Sequence, residues 1–253
     1  MLWYFSPTGT GRRAAKRLET AFPGLEAADL TLPAARAEPP EIRPGELFTL
    51  LFPVHGHRLP GPLRCWLEQL PTARVPVCLI CTYGSVGTGN VLRRTARLLE
   101  RKGMAVIAAA ELPGPHSYGC AETGRDLSRA GETDLKGLCA FYRAVLEKAA
   151  GGNSTPTAMP GGFDPVGLLP EGFPLERLTA YYPAPDPARC TGCGRCSLSC
   201  PTGAAGGDRK ACIRCAACVH ACPAKARRLR FHTPFPARFL ERQIQKRPPR
   251  FIL

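Results

Sequence analysis

The sequence predicts an α/β protein whose parallel sheet is followed by a small cysteine-rich domain, and three observations lead to that prediction. Short apolar runs alternate with helix-like segments over residues 1–150, as in a parallel sheet flanked by helices. Residues 151–175 are rich in Gly and Pro and have no hydrophobic periodicity. Eight of the 13 cysteines then lie between residues 190 and 222, in one spacing pattern that occurs twice.

Five strands and four helices are predicted in the first 150 residues. Most of the strands are nearly continuous apolar runs, which fits burial of a parallel sheet on both faces. The strands are LWYF (2–5), the weaker LEAADLT (25–31), LFTLLFPV (47–54), VPVCLICTY (75–83) and MAVIAAAEL (104–112). The helices are predicted at 11–22, 62–70, 90–103 and 132–150.

The chain divides into four predicted segments. Residues 1–150 form the α/β domain, and residues 151–183 are a Pro/Gly-rich linker or extended strap. Residues 184–230 form the cysteine-rich domain, and residues 231–253 are a basic tail with a helical candidate at 235–246. No run approaches the roughly 18 apolar residues of a membrane span, and the N-terminus has no signal-peptide pattern. We therefore expect a cytoplasmic protein without a membrane span, in a reducing compartment where clustered cysteines bind metals.

The formal net charge of +14 is concentrated in the C-terminal part of the chain. From Asp186 to the end there are 14 Lys and Arg residues and 3 Asp and Glu residues, a net charge of +11. No groove-reading motif accompanies this charge, so nucleic acid is not the expected partner. We interpret the charge as compensation for anionic cofactors and as a docking surface for an acidic redox protein. The chain itself is expected to be a monomer or a homodimer.

The doubled cysteine pattern is C-x2-C-x2-C-x3-C-P. Pairs of the form C-x2-C also occur in zinc sites, but a zinc ion takes four ligands in two pairs that usually lie a dozen or more residues apart. In the bacterial four-iron pattern, the fourth cysteine ligates the other cluster. The sequence therefore predicts two [4Fe–4S] clusters with exchanged fourth ligands. One takes Cys190, Cys193, Cys196 and Cys222, and the other takes Cys212, Cys215, Cys218 and Cys200.

Residues 184–230 resemble bacterial-type two-cluster ferredoxins. Gly192 and Gly194 leave room for backbone amides beside the cluster sulfurs, and Pro201 and Pro223 set the turn after each fourth cysteine. Such a domain stores and passes single electrons and performs no bond chemistry. The first 150 residues are therefore expected to show where the electrons come from or go.

A loop rich in hydroxyl groups joins the first predicted strand to the first helix. Helix N-termini bind phosphate through free N–H groups and the helix dipole, and side-chain hydroxyls add further donors. The loop resembles the flavodoxin phosphate loop, [ST]-x-T-G-x-T, except that Gly replaces the last Thr. The alternative is a plain turn and helix cap at a strand–helix junction. The candidate residues are Ser6, Pro7, Thr8, Gly9, Thr10 and Gly11.

Later loops are expected to meet this phosphate loop. In a doubly wound sheet of order 2-1-3-4-5, ligands bind beyond the carboxyl ends of the strands, at the switch point between the first and third strands. Tyr83 is placed to stack on a flat ring, and loop amides would tune the redox behaviour of that ring. For His116, a role within its own loop is equally open. The candidate FMN contacts are Pro53, Val54, His55, Gly56, Tyr83, Gly84, Ser85, Gly87, Gly89 and His116.

Nearly the whole chain resembles the EFR-type flavodoxin–ferredoxin fusions. The resemblance implies a flavodoxin-like doubly wound domain that binds FMN, joined to a small α+β two-cluster ferredoxin domain. The chain departs from the family at His55, His57 and Ser85-Val86, where the family usually has Tyr, Gly and Asn-Arg. The segments that carry the resemblance are YFSPTGTG (4–11), FPVHGHRLP (52–60), TYGSVGTGN (82–90), PHS (115–117) and KRPPRFIL (246–253).

The expected function is that of an electron carrier, in which FMN exchanges one or two electrons and the clusters pass single electrons to a partner. One alternative is a flavin-dependent reductase, in which the clusters supply electrons to FMN and the flavin reduces a small substrate. Another is a cluster-based redox sensor with a degenerate flavin site. Arg58 is expected either to neutralise a reduced flavin or to be solvated. Cys78 and Cys81, three residues apart on a strand, are expected to face opposite sides of the sheet.

Overall fold

A computed structural model shows a sheet with helices on both faces and a cysteine-rich domain packed against the loops that follow the strands. Three sequence features lie outside the described residues: the candidate Ser85, the beginning of the helix predicted at 132–150, and Lys246 and Arg247 of the C-terminal motif. The described residues are 1–84, 86–119, 135–152, 154–170, 173, 175–242 and 248–253.

The sheet contains six strands in the order β2-β1-β3-β4-β5-β6. The first five run parallel, so the predicted parallel sheet of order 2-1-3-4-5 is confirmed. Strand β6 runs antiparallel to β5 and comes from the segment that the sequence predicts only as a basic tail. The strands are β1 (Leu2–Tyr4), β2 (Ala27–Asp29), β3 (Phe48–Pro53), β4 (Pro76–Tyr83), β5 (Ala105–Pro113) and β6 (Arg250–Ile252).

The described residues contain eight α-helices, and the helices predicted at 11–22, 62–70 and 90–103 are found with small shifts at their ends. The helix predicted at 132–150 begins only at Leu138, after a turn at residues 136–137. None of these eight is long and apolar enough to cross a membrane. Pro62 lies in the first turn of α2, where backbone N–H groups have no acceptor within the helix, so Pro loses no hydrogen bond there. The helices are α1 (Thr10–Ala21), α2 (Gly61–Glu68), α3 (Val91–Glu100), α4 (Leu138–Ala150), α5 (Leu175–Thr179), α6 (Arg195–Leu198), α7 (Ala217–His220) and α8 (Pro234–Arg242).

Alternate side chains of the central strands divide the core into two layers. On β3, Phe52 packs with Trp66 of α2, whereas Leu51 packs on the opposite face with α1 and α4. Cys78 and Cys81 of β4 lie in different layers, as their spacing on a strand predicts. The two thiols are therefore core residues on opposite faces and cannot share a metal ion or a disulfide.

Part of the predicted linker packs along the sheet, and we call residues 154–170 the strap. Thr157 N donates a hydrogen bond of 2.8 Å to the Val106 carbonyl of β5, and Met159 is buried in the core layer of α2 and α3. Further along β5, strand β6 pairs with residues 109–111. The strap and β6 together cover the edge of β5, which would otherwise present unpaired N–H and C=O groups.

The cysteine-rich domain consists of two halves with matching backbone conformations. Gly192 and Gly194 in the first half have φ angles of 70° and 71°, and the matching Arg214 and Ala216 have φ angles of 57° and 64°. Such left-handed residues turn successive N–H groups toward one side, which creates a concave surface that attracts anions. Both halves therefore present their N–H groups alike, although only the first half uses glycine.

Contacts between the domains lie at the end of the sheet where the candidate FMN loops are found. Nη2 of Arg36 donates to the Pro201 carbonyl at 2.6 Å, and Nε2 of His220 lies 2.9 Å from the Ser117 carbonyl. Tyr118, from the loop after β5, packs among buried residues of the cysteine-rich domain. The cysteine-rich domain therefore rests on the loops that follow β2 and β5.

Candidate cofactor sites

The loop from Ser6 to Gly11 is held by hydrogen bonds before α1 begins. Ser6 N donates to Oγ1 of Thr31 at 2.9 Å, and Oγ of Ser6 accepts from Arg12 N at 3.0 Å. Gly9 has a φ angle of 84°, a left-handed conformation that glycine adopts without strain. The Ser6 hydroxyl thus caps the helix and keeps its own proton for a further acceptor. The N–H groups of the first turn have no carbonyl partner within the helix.

Gly11 allows α1 to lie close to β3. A Cβ atom on Gly11 would lie 2.5 Å from Cδ2 of Leu51 and 3.3 Å from Oγ of Ser6. Leu51 is fully buried, so its displacement would disturb the core. Close packing against β3 therefore accounts for Gly where the flavodoxin pattern has Thr.

Three loops and His116 surround a cavity of about 60 Å³, which we call the phosphate-loop cavity. The carboxyl ends of β1, β3 and β4 bring these loops together, as the switch-point rule expects. Tyr83 is mostly buried in its wall, with 8 % of its surface exposed. The candidates that line it are Ser6, Pro7, Thr8, Thr10, Gly11, Pro53, Val54, His55, Tyr83, Gly84 and His116.

A larger cavity of about 380 Å³ adjoins the first between the two domains, and we call it the interdomain cavity. The candidates Gly56 and Gly87 line this cavity, whereas Gly9 and Gly89 line neither. Ser85, also a candidate, lies outside the described residues. The residues shared by both cavities are Val54, His55, Gly84, His116 and Ser117.

Much of the interdomain cavity is built from residues that the sequence analysis did not select. They come from the strap, from α5, from the cysteine-rich domain and from α8, all far from the FMN loops in sequence. Most of them are ordinary apolar residues and none belongs to a motif, so no local signal indicates a role in a site. Examples are Val166, Leu175, Ile213, Phe231, Phe235 and Phe239.

A tight turn over residues 55–58 forms one wall of the interdomain cavity. His55 and Arg58 exchange two main-chain hydrogen bonds of 2.9 and 2.8 Å. Gly56 and His57 have φ angles of 49° and 60°. A Cβ atom on Gly56 would lie 2.8 Å from Oε1 of Glu176, so glycine allows α5 to close over the turn.

The Arg58 side chain binds the strap. Its guanidinium donates to the carbonyls of Val166, Leu169 and Pro170 at 2.8 to 3.0 Å. Arg58 therefore fixes the strap to the turn, a role that differs from both of those predicted.

The half-buried positions of His55 and His116 at the interdomain cavity favour neutral imidazoles. Burial lowers the pKa of His55, against an opposing effect of Glu176. Burial, reinforced by His55, lowers the pKa of His116 to about 4. Nδ1 of His116 accepts a hydrogen bond from Tyr118 N at 3.1 Å, which requires this nitrogen to be unprotonated. His116 also packs tightly on Gly84, since a Cβ atom there would lie 2.9 Å from the His116 Cα.

The eight clustered cysteines separate into two groups of four, each around its own cavity. Each group combines three cysteines of one motif with the fourth cysteine of the other. This is the arrangement that exchanged fourth ligands require, and ligation itself stays a prediction. The first cavity, of about 210 Å³, is lined by Cys190, Cys193, Cys196 and Cys222. The second is tighter, about 10 Å³, and is lined by Cys200, Cys212, Cys215 and Cys218.

Each cysteine group surrounds a space and does not converge on one point. Within the described ranges, no three His, Cys, Asp or Glu side chains are close enough together to hold a single metal ion. A zinc site needs its thiolates within about 2.3 Å of one ion. A four-iron cluster instead needs four thiolates spread around it. The four thiols around each cavity therefore have the spread arrangement that a cluster needs.

Comparison with known proteins finds a match for the first cysteine motif. Residues 183–205 match the family model described as 4Fe-4S binding domain. The chain carries a ferredoxin-type iron–sulfur domain. The match includes Cys190, Cys193, Cys196 and Cys200 and does not extend to the second motif or to the α/β domain. No curated protein matches the chain, and no solved structure matches it.

Backbone N–H groups point at cysteine sulfurs in both halves of the iron–sulfur domain. Ala226 N lies 3.2 Å from Sγ of Cys222, Ala205 N lies 3.4 Å from Sγ of Cys200, and Arg214 N lies 3.5 Å from Sγ of Cys212. Hydrogen bonds to cluster sulfurs are one way in which proteins set the reduction potential of a cluster. Burial raises the pKa of the Cys218 thiol to about 11. Such a buried thiol becomes a ligand when a metal displaces its proton.

The two cysteine groups of the iron–sulfur domain differ in exposure. Cys215 lines the phosphate-loop cavity together with His116, and the other cysteines of its group are buried as well. Cys190 and Cys193 of the other group are exposed. We call the buried group the inner site and the group with exposed members the outer site. The inner site faces the α/β domain, whereas the outer site reaches the protein surface.

Proposed function

We propose that the chain is an electron-transfer iron–sulfur flavoprotein that holds FMN and two [4Fe–4S] clusters. One observation carries the proposal: Cys215, a predicted cluster ligand, lines the same cavity as Ser6, Thr8 and Thr10 of the predicted phosphate loop. Cofactors held by these residues would be neighbours across one cavity, as electron transfer between them requires.

The residues around the two adjoining cavities fit FMN. The first turn of α1 supplies N–H groups for a phosphate, Thr8 and Thr10 supply hydroxyls, and no acidic residue stands in that turn. The neutral His55 and His116 and the apolar walls of the interdomain cavity suit a flat ring. Bound FMN would supply the exchange between two-electron and one-electron chemistry.

The iron–sulfur domain is proposed to hold its two clusters with exchanged fourth ligands. The family match supports a 4Fe-4S cluster on the first motif. The second cluster is supported by the repeat of the motif and by the second group of four thiols around one cavity. The chain would then place its redox sites in series, from the flavin loops through the inner site to the outer site at the surface.

The surface around the outer site fits an acidic protein partner. Arg195 and Lys225 flank its cysteines in sequence and are exposed. Leu198, in the same helix as Arg195, is 74 % exposed and offers an apolar contact to a partner. We propose that a small acidic electron carrier docks here, because opposite charges steer such partners and an apolar centre stabilises the complex.

A flavin-dependent reductase is the second candidate function, and the interdomain cavity is the observation that favours it. Its volume of about 380 Å³ lies within the range of small-molecule pockets, about 300–1,000 Å³, and its walls are largely apolar. This function predicts turnover of an added small substrate, which an electron carrier does not require. A redox sensor with a degenerate flavin site instead predicts protein that binds no flavin.

Anaerobic purification of the full chain, followed by analysis of iron, sulfide and flavin, tests the main proposal. We expect about eight iron and eight sulfide ions with one FMN per chain, as for two four-iron clusters. An iron content of only about four ions per chain would contradict the proposed second cluster. Protein that takes up no FMN at saturating concentration would contradict the flavin half and leave the iron–sulfur half standing.

A further inference from the structure

His57 and Asp164 form a hydrogen-bonded pair between the α/β domain and the strap. Nδ1 of His57 lies 2.8 Å from Oδ1 of Asp164. The Asp164 carboxylate also accepts from Gly167 N at 2.9 Å and from Asn90 N at 3.0 Å, and its side chain is 2 % exposed. Burial raises the pKa of Asp164, but these hydrogen bonds outweigh burial and lower it. The charged carboxylate therefore keeps a proton on Nδ1 and orients the His57 ring.

Backbone conformation and packing restrict the His57 ring further. His57 has a φ angle of 60°, which is uncommon for a residue with a side chain. A Cβ atom on Gly89 would lie 2.6 Å from Cβ and Cγ of His57. Gly89, whose FMN contact stays a prediction, makes room for this imidazole. His57 is thus held by its turn, by Gly89 and by Asp164.

The second ring nitrogen of His57, Nε2, is buried without a hydrogen-bond partner among the described residues. His57 lines the interdomain cavity, whose other walls include the apolar Val86, Val166, Phe231 and Phe235. A buried polar atom is destabilising unless something bonds to it, so Nε2 is suited to a ligand in this cavity.

We propose that His57, held by Asp164, binds a planar conjugated ring in the interdomain cavity through a hydrogen bond between Nε2 and a polar group at the edge of that ring. The apolar walls favour a flat unsaturated ring. Nε2 donates to a carbonyl oxygen when the imidazole carries both protons and accepts from a ring N–H when it carries one. The other titratable or charged groups that line the cavity are His55, His116, Tyr118, Glu176 and Arg214.

Two sources share this ligand chemistry. One is the ring of FMN, and in that case the inference rests on the proposed function. The other is a separate small quinone, and in that case the inference stands whether or not FMN binds. Either ligand would depend on the strap, because the strap supplies Asp164.

Ligand titration of the full-length protein, isolated anaerobically with its clusters, tests the inference. His57→Asn is the main variant, since Asn tolerates positive φ and its amide can replace Nδ1 beside Asp164. Only the Nε2 group is then lost. His232→Asn is the matched control, because His232 lies 3.0 Å from the Arg177 carbonyl and is not a lining residue of the cavity.

FMN and 2-methyl-1,4-naphthoquinone are the two probes, and the quinone is also titrated into FMN-saturated protein. If the flavin ring is the ligand, His57→Asn weakens FMN binding about tenfold, as expected for one hydrogen bond, and FMN excludes the quinone. If a separate quinone is the ligand, its affinity falls about tenfold, with the FMN affinity unchanged.

Asp164→Asn keeps the shape of the side chain and removes its charge, so it is expected to weaken the same ligand. His57→Gln, whose amide reaches toward the Nε2 position, is expected to retain more affinity than His57→Asn. Melting temperatures show that each variant is folded. Unchanged affinities for both probes in folded His57→Asn protein would overturn the inference, as would wild-type protein that binds neither. Quinone binding that depends on His57 without any FMN binding would contradict the proposed function alone.

Discussion

Nη2 of Arg36 donates a hydrogen bond of 2.6 Å to the carbonyl of Pro201, and this bond joins the α/β domain to the residue that follows Cys200. Nη1 of Arg36 also donates to the carbonyls of Thr31 and Leu32, at 2.8 and 3.2 Å. The guanidinium therefore holds the loop after β2 and the end of one iron–sulfur motif together.

Replacing Arg36 with Met keeps an aliphatic stem and removes all of these donors. We expect the free energy of unfolding to fall by about 1–3 kcal/mol, because the carbonyl of the buried Pro201 loses its partner. Urea denaturation followed by circular dichroism measures the change. Arg43→Met is the control: its exposed ion pair with Glu46 is worth about 0.2–1 kcal/mol. Equal losses in both variants would show that Arg36 does not couple the domains.

Adding a side chain at Gly11 is expected to destabilise the fold and not to improve the phosphate site. Thr would restore the flavodoxin pattern, but its Cβ would lie 2.5 Å from Cδ2 of Leu51. Gly11→Ala is therefore expected to cost about 1–3 kcal/mol through overpacking. Leu51→Val removes Cδ2, so the double variant should lose less stability than the two single variants combined. Thermal unfolding of the four proteins measures this coupling, and strictly additive losses would rule out Leu51 as the obstacle.

The parallel sheet and the grouping of the cysteines could be predicted because each follows from a local pattern. Apolar runs identify β3 and β4, and the sheet order then places the loops after the strands at one switch point. Ser6 and Tyr83 consequently line the same cavity, as expected. The spacing of the two cysteine motifs likewise indicates which four thiols surround each cavity, and the structure groups them in that way.

Contacts between distant segments could not be predicted in this manner. His57 and Asp164 are 107 residues apart, and no pattern at either position indicates the other. The Pro/Gly-rich composition of the strap predicts irregular structure but not the surface on which it packs. Strand β6 has only three residues, too few for a periodic signal, and its place beside β5 depends on an edge that the whole sheet creates.

The stability of the protein is expected to fall as the pH drops through 6.5, in part because of His116. Its pKa in the folded state is about 4, below the ordinary value of 6.5, so the unfolded chain takes up a proton at a higher pH. The stability due to neutral His116 is thus present above pH 6.5 and is lost as the pH falls toward 4. Between about pH 7.5 and 5.5 the expected loss is about 1 kcal/mol.

Urea midpoints at these two pH values, for the wild type and for His116→Gln, measure the contribution of His116. Gln cannot take up a proton and keeps an acceptor for Tyr118 N, so the variant should lose less stability over the same range. A loss as large as that of the wild type would assign the pH dependence to other groups.

Charge reversal at the outer site is expected to slow electron transfer to an acidic protein. Arg195→Glu and Lys225→Glu should each lower the rate with a small acidic ferredoxin, by about tenfold at low ionic strength, because steering by opposite charge is lost. Rates with a small viologen dye should stay unchanged, since a dye needs no docking surface. Arg97→Glu, an exposed position on α3, is the control. A rate with the ferredoxin that depends on neither substitution would place the docking surface elsewhere.

Exchange of the fourth ligands makes opposite predictions for Cys200 and Cys222. Cys200 lies with the inner group, although it is the last cysteine of the motif that begins at Cys190. Cys222 lies with the outer group, although it is the last cysteine of the motif that begins at Cys212. Cys200→Ser should therefore damage the inner cluster, and Cys222→Ser should damage the outer cluster. Cys215→Ser and Cys193→Ser serve as references, because each removes a ligand from within the three closely spaced cysteines of one site.

Iron content and the electron paramagnetic resonance spectrum of the reduced protein distinguish the two arrangements. Each substitution should lower the iron content or change the spectrum of one cluster only, with about four iron ions retained in the undamaged cluster. Under exchanged ligation, the spectrum of Cys200→Ser resembles that of Cys215→Ser, and the spectrum of Cys222→Ser resembles that of Cys193→Ser. If Cys200→Ser instead resembles Cys193→Ser, each motif holds its own cluster. In that case, the grouping of the thiols around the two cavities would not match the ligand sets of the two clusters.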